Sequence, residues 1–344
     1  MQTLPVPTLT RRHLLGSAAA GLGALAVAPA RAATPEPEMR ERATRWLALL
    51  SEPQRDTATF GFDHRTRRRW NYMLGSAFAE GLALENMTSE QKDAALDLLD
   101  TGLSNYGVET AMNIMLQQDI LRDEWGKGSS ARNRERFSLM IFGEPSPTGP
   151  WGWRWEGHHL TISFTLLGDE VIAQTPKAFS SEPNTVPSGP HKGLVVLPEN
   201  EVLGRALFAD LKGASRTAAL LRESSYGNII AKPGREDRIE KREGVALGDL
   251  STSQADLLRR LIALYTSDHL TGTLRDAQEA NVAAEDVSAI RFGWAGPNEA
   301  EQSMYYRIHG ESFLIEFATL RNQPLHHHTI VHDLQRNFGD HRLG

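Results

Sequence analysis

Leu250-Ser251-Thr252-Ser253-Gln254 decides how this chain is read, because it restates Met87-Thr88-Ser89-Glu90-Gln91 far upstream. Each stretch sets an apolar residue before a hydroxyl N-cap and a glutamine three residues on. In that pattern the hydroxyl and the amide satisfy two orphan N–H groups at a helix start. Ala94, Ala95, Leu98 and Leu99 follow the first, and Leu257, Leu258, Leu261 and Ile262 the second, so both predict a helix with an apolar stripe. The likeness continues downstream. Ser138-Leu139-Met140-Ile141-Phe142-Gly143 parallels Ser288-Ala289-Ile290-Arg291-Phe292-Gly293, and Trp153-Arg154-Trp155-Glu156-Gly157 parallels Tyr306-Arg307-Ile308-His309-Gly310. Leu160 to Phe164 likewise matches Phe313 to Phe317. The order reads twice as capped helix, helical stretch, strand, aromatic-Arg strand, glycine turn, strand. This predicts the α+β class: a single compact domain of two pseudo-repeats, about 87–175 and 250–333, each with helices packed on antiparallel strands.

Around these halves, Met39, Ala43, Trp46, Leu47 and Leu50 predict a helix near the start, and Glu199 to Leu211 another. Residues 175–198 carry several prolines and read as a long ordered loop; 223–248 read as a polar connection.

Residues 1–33 have a different character. Arg11-Arg12 precede a weakly apolar run from Leu14 to Ala30, and Ala30-Arg31-Ala32 supplies an A-x-A cleavage site. This predicts a twin-arginine export signal, with the export machinery as a partner, a periplasmic or secreted destination, and no membrane anchor after cleavage. Removing it leaves 34 basic against 43 acidic residues, a net charge of −9. Such a surface argues against nucleic acid. The absence of cysteine excludes disulfides, thiolate zinc sites, iron–sulfur clusters and a cysteine nucleophile.

The chemistry concentrates in histidine. Four of the 12 lie at His326-His327-His328 and His332, beside Asp333, and Glu156-Gly157-His158-His159 forms a second cluster. Thr329, Ile330 and Val331 favour a strand, where His326, His328 and His332 share a face. Residues two apart in a strand are about 6.6 Å apart, so His326 and His328 can chelate one ion, while His332 lies about 13 Å beyond. His158 or His159 is expected to complete the site. Glu156 is a candidate ligand or general base, or a partner of Arg154 or Arg307. Glu316, interrupting an apolar strand, needs a buried partner. No G-x-S-x-G elbow, H-E-x-x-H, P-loop or G-x-G-x-x-G motif is present.

Phe142-Gly143-x-Pro145, Trp153 to His159, Tyr306 to Gly310, Leu314-Ile315-Glu316 and the ending His326-x-His328…Asp333…Phe338-Gly339 together resemble the domain-of-unknown-function family numbered 3500. The resemblance spans most of the chain and implies no reaction. The reading from the residues is an exported protein holding one divalent ion (zinc, copper, iron or manganese). His158, His159, His326 and His328 are the candidate ligands, and Glu156 and Glu316 the candidate catalytic carboxylates. A hydrolase or oxidoreductase acting on a small or extracellular substrate would use such an ion. The alternatives are a non-catalytic binding or scaffold protein with structural histidines, and a metal-independent hydrolase with His309 or His159 beside a hydroxyl.

Overall fold

The computed structural model describes residues 35–75, 80–126 and 131–343. The expected export signal lies outside the described residues. Two mixed sheets, each with helices on one face, build the fold.

The first sheet runs β1 (Thr59–Phe60), β3 (Ser138–Phe142), β4 (Pro150–Gly157), β5 (Leu160–Leu167), β6 (Glu170–Ala173), with β2 (Leu82–Ala83) and β7 (Ala178–Phe179) added to β3 and β5. The second runs β13 (Gln323–Asp333), β12 (Phe313–Leu320), β11 (Tyr305–His309), β10 (Arg291–Ala295), β8 (Leu220–Arg222), with β9 (Val245–Ala246) on β10. The strands are not all antiparallel as the sequence predicts: β1 pairs parallel to β3, and β8 parallel to β10. These two-residue and three-residue edges are too short to carry a periodic signal.

Helices α1 (Pro35–Ala48), α2 (Glu52–Ala58), α3 (Ser89–Gly102) and α4 (Asn105–Asp123) accompany the first sheet. Trp46, Leu98 and Leu99 meet Trp153, Trp155 and Phe164 in one apolar core. Helices α5 (Asn200–Asp210), α6 (Gly213–Ala219), α7 (Thr252–Thr266) and α8 (Gly272–Ala283) accompany the second, where Leu258 and Leu261 join Trp294, Tyr306 and Phe317. Both capping boxes form as the sequence predicts, Thr88 with Gln91 and Ser251 with Gln254.

Strand alternation turns the other face of each sheet toward polar chemistry. Arg154, Glu156 and Thr161 lie there in the first sheet, and Arg307, Glu316, His328 and His332 in the second, all buried. A loop crosses each of these faces. Glu156 Oε2 accepts from Asn71 N at 2.7 Å, and Glu316 accepts from Ile230 N at 2.8 Å and Ala231 N at 2.7 Å. The stretch read as a polar connection is thus tied to the sheet through a buried carboxylate. Trp70 and Tyr72 flank Asn71 and meet Ile229, Tyr305, Ala318 and Ile330 in a third apolar cluster.

The proline-rich loop joins the two sheets. β7 pairs with β5 through Leu160↔Phe179, and its flanks bridge to β13 through Lys177↔Val331 and Ser181↔His327. Thr329 Oγ1 both accepts from Phe179 N (3.2 Å) and donates to Phe179 O (2.6 Å). The end of β13 is thereby held beside the β4–β5 turn.

Candidate metal centre

β4 and β5 close with Gly157 opposite Leu160, so His158 and His159 form a two-residue turn. His159 adopts φ 71°, a left-handed conformation uncommon for a residue with a side chain. The rule of alternating faces therefore does not apply to this pair, and it is the turn that sends His159 inward. Its backbone N–H donates to Tyr72 O at 2.8 Å, while the Tyr72 ring packs edge-on against His328 at 5.1 Å. One loop residue thus fixes both sides of the cluster.

On β13, His326 and His328 share a face, and their Nε2 atoms lie 3.1 Å apart. His159 Nε2 stands 2.9 Å from His326 Nε2 and 3.3 Å from His328 Nε2. Three imidazoles from two sheets thus converge on a triangle of nitrogens. His159 and His328 are buried, and His326 is half-buried.

At most one proton, on His159 Nε2, fits inside this triangle, and it leaves the His326–His328 contact without a hydrogen bond. His328 Nδ1 lies 2.8 Å from Asn228 Oδ1, an oxygen that also accepts from Ile229 N, so His328 carries its proton on Nδ1. His326 Nδ1 faces Gln323 Oε1 at 3.1 Å and Glu182 Oε1 at 3.3 Å, which puts its proton there too. Both rings then aim Nε2 lone pairs at His159. Burial, reinforced by the neighbouring His158, His328 and His326 and by Arg132, drives the His159 pKa well below its usual value; burial and the adjacent His326 do the same at His328. Neutral rings with converging lone pairs are what a cation needs. A tetrahedral ion bound at about 2.0–2.1 Å sets its nitrogen ligands about 3.3–3.4 Å apart. The observed spacing is slightly tighter and opens to that value with small ring rotations.

The remaining candidates lie elsewhere. His158 stacks on His159 with centroids 3.7 Å apart, and its Nδ1 meets Gln118 Oε1 at 2.8 Å. It borders a cleft of about 300 Å³ with Asn71, Gln118 and Glu156. Glu156 is ion-paired with Arg154 at 2.9 Å, and burial pushes its pKa up to about 7. Glu316 accepts, besides the two loop amides, the Tyr305 hydroxyl at 2.7 Å. Among the described residues, neither glutamate joins the three converging histidines. His332 shares the face of His328 but bonds Ala231 O (2.8 Å) and Asn337 Nδ2 (2.9 Å). His309 is buried, and that burial, with Arg307 and Arg242 nearby, lowers its pKa to about 4.

Three supporting residues escape a reading of the sequence. Glu182 sits in the proline-rich loop, Asn228 in the polar connection, and Arg132 near a glycine-rich stretch. None belongs to a recognisable motif. An acid directly before Pro183 was the one available cue.

Fold and site together define an α+β protein with a buried three-histidine cluster. The chain belongs to the family described as "Protein of unknown function (DUF3500)", which it matches over residues 32–340. No curated protein and no solved structure matches it.

Proposed function

We propose that this chain is a mononuclear metalloprotein in which Nε2 of His159, His326 and His328 hold one divalent ion. The observation that carries the reading is the triangle of three Nε2 atoms within 3.3 Å of one another, with Nδ1–H committed outward on two of the rings. Glu182 and Asn228 orient those two rings, as carboxylates and amides do behind metal-bound histidines. An all-imidazole set suits zinc, copper and iron better than manganese, which prefers oxygen. Zinc fits best, because three nitrogens leave a tetrahedral position for water or substrate. An ion so held polarises an oxygen ligand and supports hydrolysis. The carboxyl of Glu156, in the cleft beside His158, is the general acid or base in this scheme; Glu316 instead anchors the loop that presents Asn228.

The test is metal content in tag-free protein. About one equivalent of zinc should copurify with wild type and be absent from folded His326→Ala/His328→Ala and His159→Ala variants. Metal that persists in the variants, or never binds to wild type, would make the histidines structural.

We further propose export by the twin-arginine route, for which the Arg11-Arg12 pair and the Ala30-Arg31-Ala32 site are the support. The halves are proposed to descend from one duplicated unit. Its support is the matched order of two helices, a parallel edge strand, a short strand, a boxed helix, a further helix and four strands. A profile of many family members, compared half against half, should pair Thr88 with Ser251 and Arg154 with Arg307. An alignment no better than that of shuffled halves contradicts duplication.

A further inference from the structure

Beside the three histidines lies an arginine that the metal alone leaves unexplained. Arg132 Nη2 stands 3.8 Å from Glu182 Oε2, a long ion pair, and the other oxygen of that carboxylate lies 3.3 Å from His326 Nδ1. The arginine side chain is 13% exposed, and its Nη1 is buried with no hydrogen-bond partner among the described residues. A buried guanidinium N–H without an acceptor is costly, and such orphans mark places where a ligand is expected.

Charge counting points the same way. Among the described residues, Glu182 is the one carboxylate ion-paired with His326, and it also faces Arg132. With neutral histidines, a divalent ion and Arg132 outweigh that single negative charge by two. A buried excess of this kind calls for an anion. Guanidinium suits an oxyanion in particular, since its planar fork matches carboxylate and phosphate oxygens.

Resting on the proposed metal centre, we propose that Arg132 is the anchor for an oxyanion-bearing small substrate, a carboxylate or a phosphate, which the three-histidine ion engages at the same time. Two-point attachment fixes one oxygen at the ion and a second at Nη1. Glu182 then does two things at once: it orients the His326 ring and steadies the guanidinium. A neutral substrate would leave Nη1 unpaired, so selectivity against neutral isosteres follows from the same geometry.

The experiment uses full-length protein loaded with cobalt(II), whose visible spectrum reports ligands at the ion. Acetate, oxalate and inorganic phosphate are titrated as probes, with acetamide as the neutral control, into wild type, Arg132→Gln and Arg132→Lys. In wild type, one oxyanion class should perturb the spectrum at concentrations at least about ten-fold below acetamide. Arg132→Gln should weaken that probe by about 10-fold or more with cobalt content unchanged, as loss of a charge-assisted hydrogen bond implies. Arg132→Lys should fall between. Whether oxalate or phosphate responds more strongly assigns the class. If acetate, oxalate and phosphate all bind wild type no better than acetamide, the proposal is overturned without any variant, as it is by unchanged oxyanion affinity in Arg132→Gln. Wild-type protein that takes up no cobalt refutes the metal centre itself, so the two failures are distinct.

Discussion

Glu316 is completely buried in the middle of an apolar strand, where a carboxylate must be matched by donors. It is matched by three, from Ile230 N, Ala231 N and Tyr305 Oη. Glu316→Gln would turn an NH2 group toward one of these donors, so a loss of at least about 2 kcal/mol in chemical denaturation is expected. A change within a few tenths would show that the loop is held by other means. The ring-orienting residues have a different signature. Glu182→Gln and Asn228→Ala should each lower metal affinity about 10-fold to 100-fold while the histidines stay in place; competition with a chelator reads this directly, and unaltered affinity would deny them the role. Lys177 supplies a pH dependence. Burial lowers its pKa from 10.5 to about 7, although its Nζ donates to Thr266 O at the end of α7. Between these values the unfolded chain holds the proton that the folded chain has lost, so this group makes stability rise with pH. The unfolding free energy of wild type relative to Lys177→Met should therefore grow as pH rises from 7 toward 10.5. A flat difference across that window contradicts a neutral buried amine.

At the scale of elements, the residues that announce helices also hold them. Ser251 Oγ accepts from Gln254 N while Gln254 Oε1 accepts from Ser251 N. Ser251→Ala should cost about 1 kcal/mol. Thr88→Ala should cost a similar amount, since in both boxes the glutamine is also held from outside, Gln91 by Leu49 O and Gln54 and Gln254 by Asp210; a loss near zero would mean the box is redundant with those bonds. These helices, the three eight-residue inner strands β4, β5 and β12, and β13 were all legible, since their periodicity extends over many residues. The pairing of His326 with His328 followed from strand geometry in the same way. What stayed hidden was set by tertiary context. Nothing local says that Ala178 and Phe179 pair with β5 while Lys177 and Ser181 bridge to β13, or that a histidine in a tight turn takes φ 71° and so becomes the third member. The partners Glu182, Asn228 and Arg132 come from loops, whose paths depend on what they cover.

Across the whole molecule, the cluster exists only where the two sheets meet: His159 comes from the turn of one, His326 and His328 from a strand of the other, and β7 and its flanks bridge them. An ion at that junction would link the two units, and metal removal is expected to lower the thermal midpoint of wild type but not of His326→Ala/His328→Ala. Export is a separate question with its own test. Arg11→Lys/Arg12→Lys protein should remain in the cytoplasm with its leader uncleaved, and processing that continues undisturbed would point to another route.

The most direct measurement is a crystal structure of tag-free protein from its native host, with anomalous data collected on both sides of the zinc edge. A single peak about 2.0–2.1 Å from Nε2 of His159, His326 and His328, present only above the edge, is the predicted result. Three histidines hydrogen-bonded to water or protein, with no anomalous peak among them in protein shown never to have met a chelator, would contradict the metal centre.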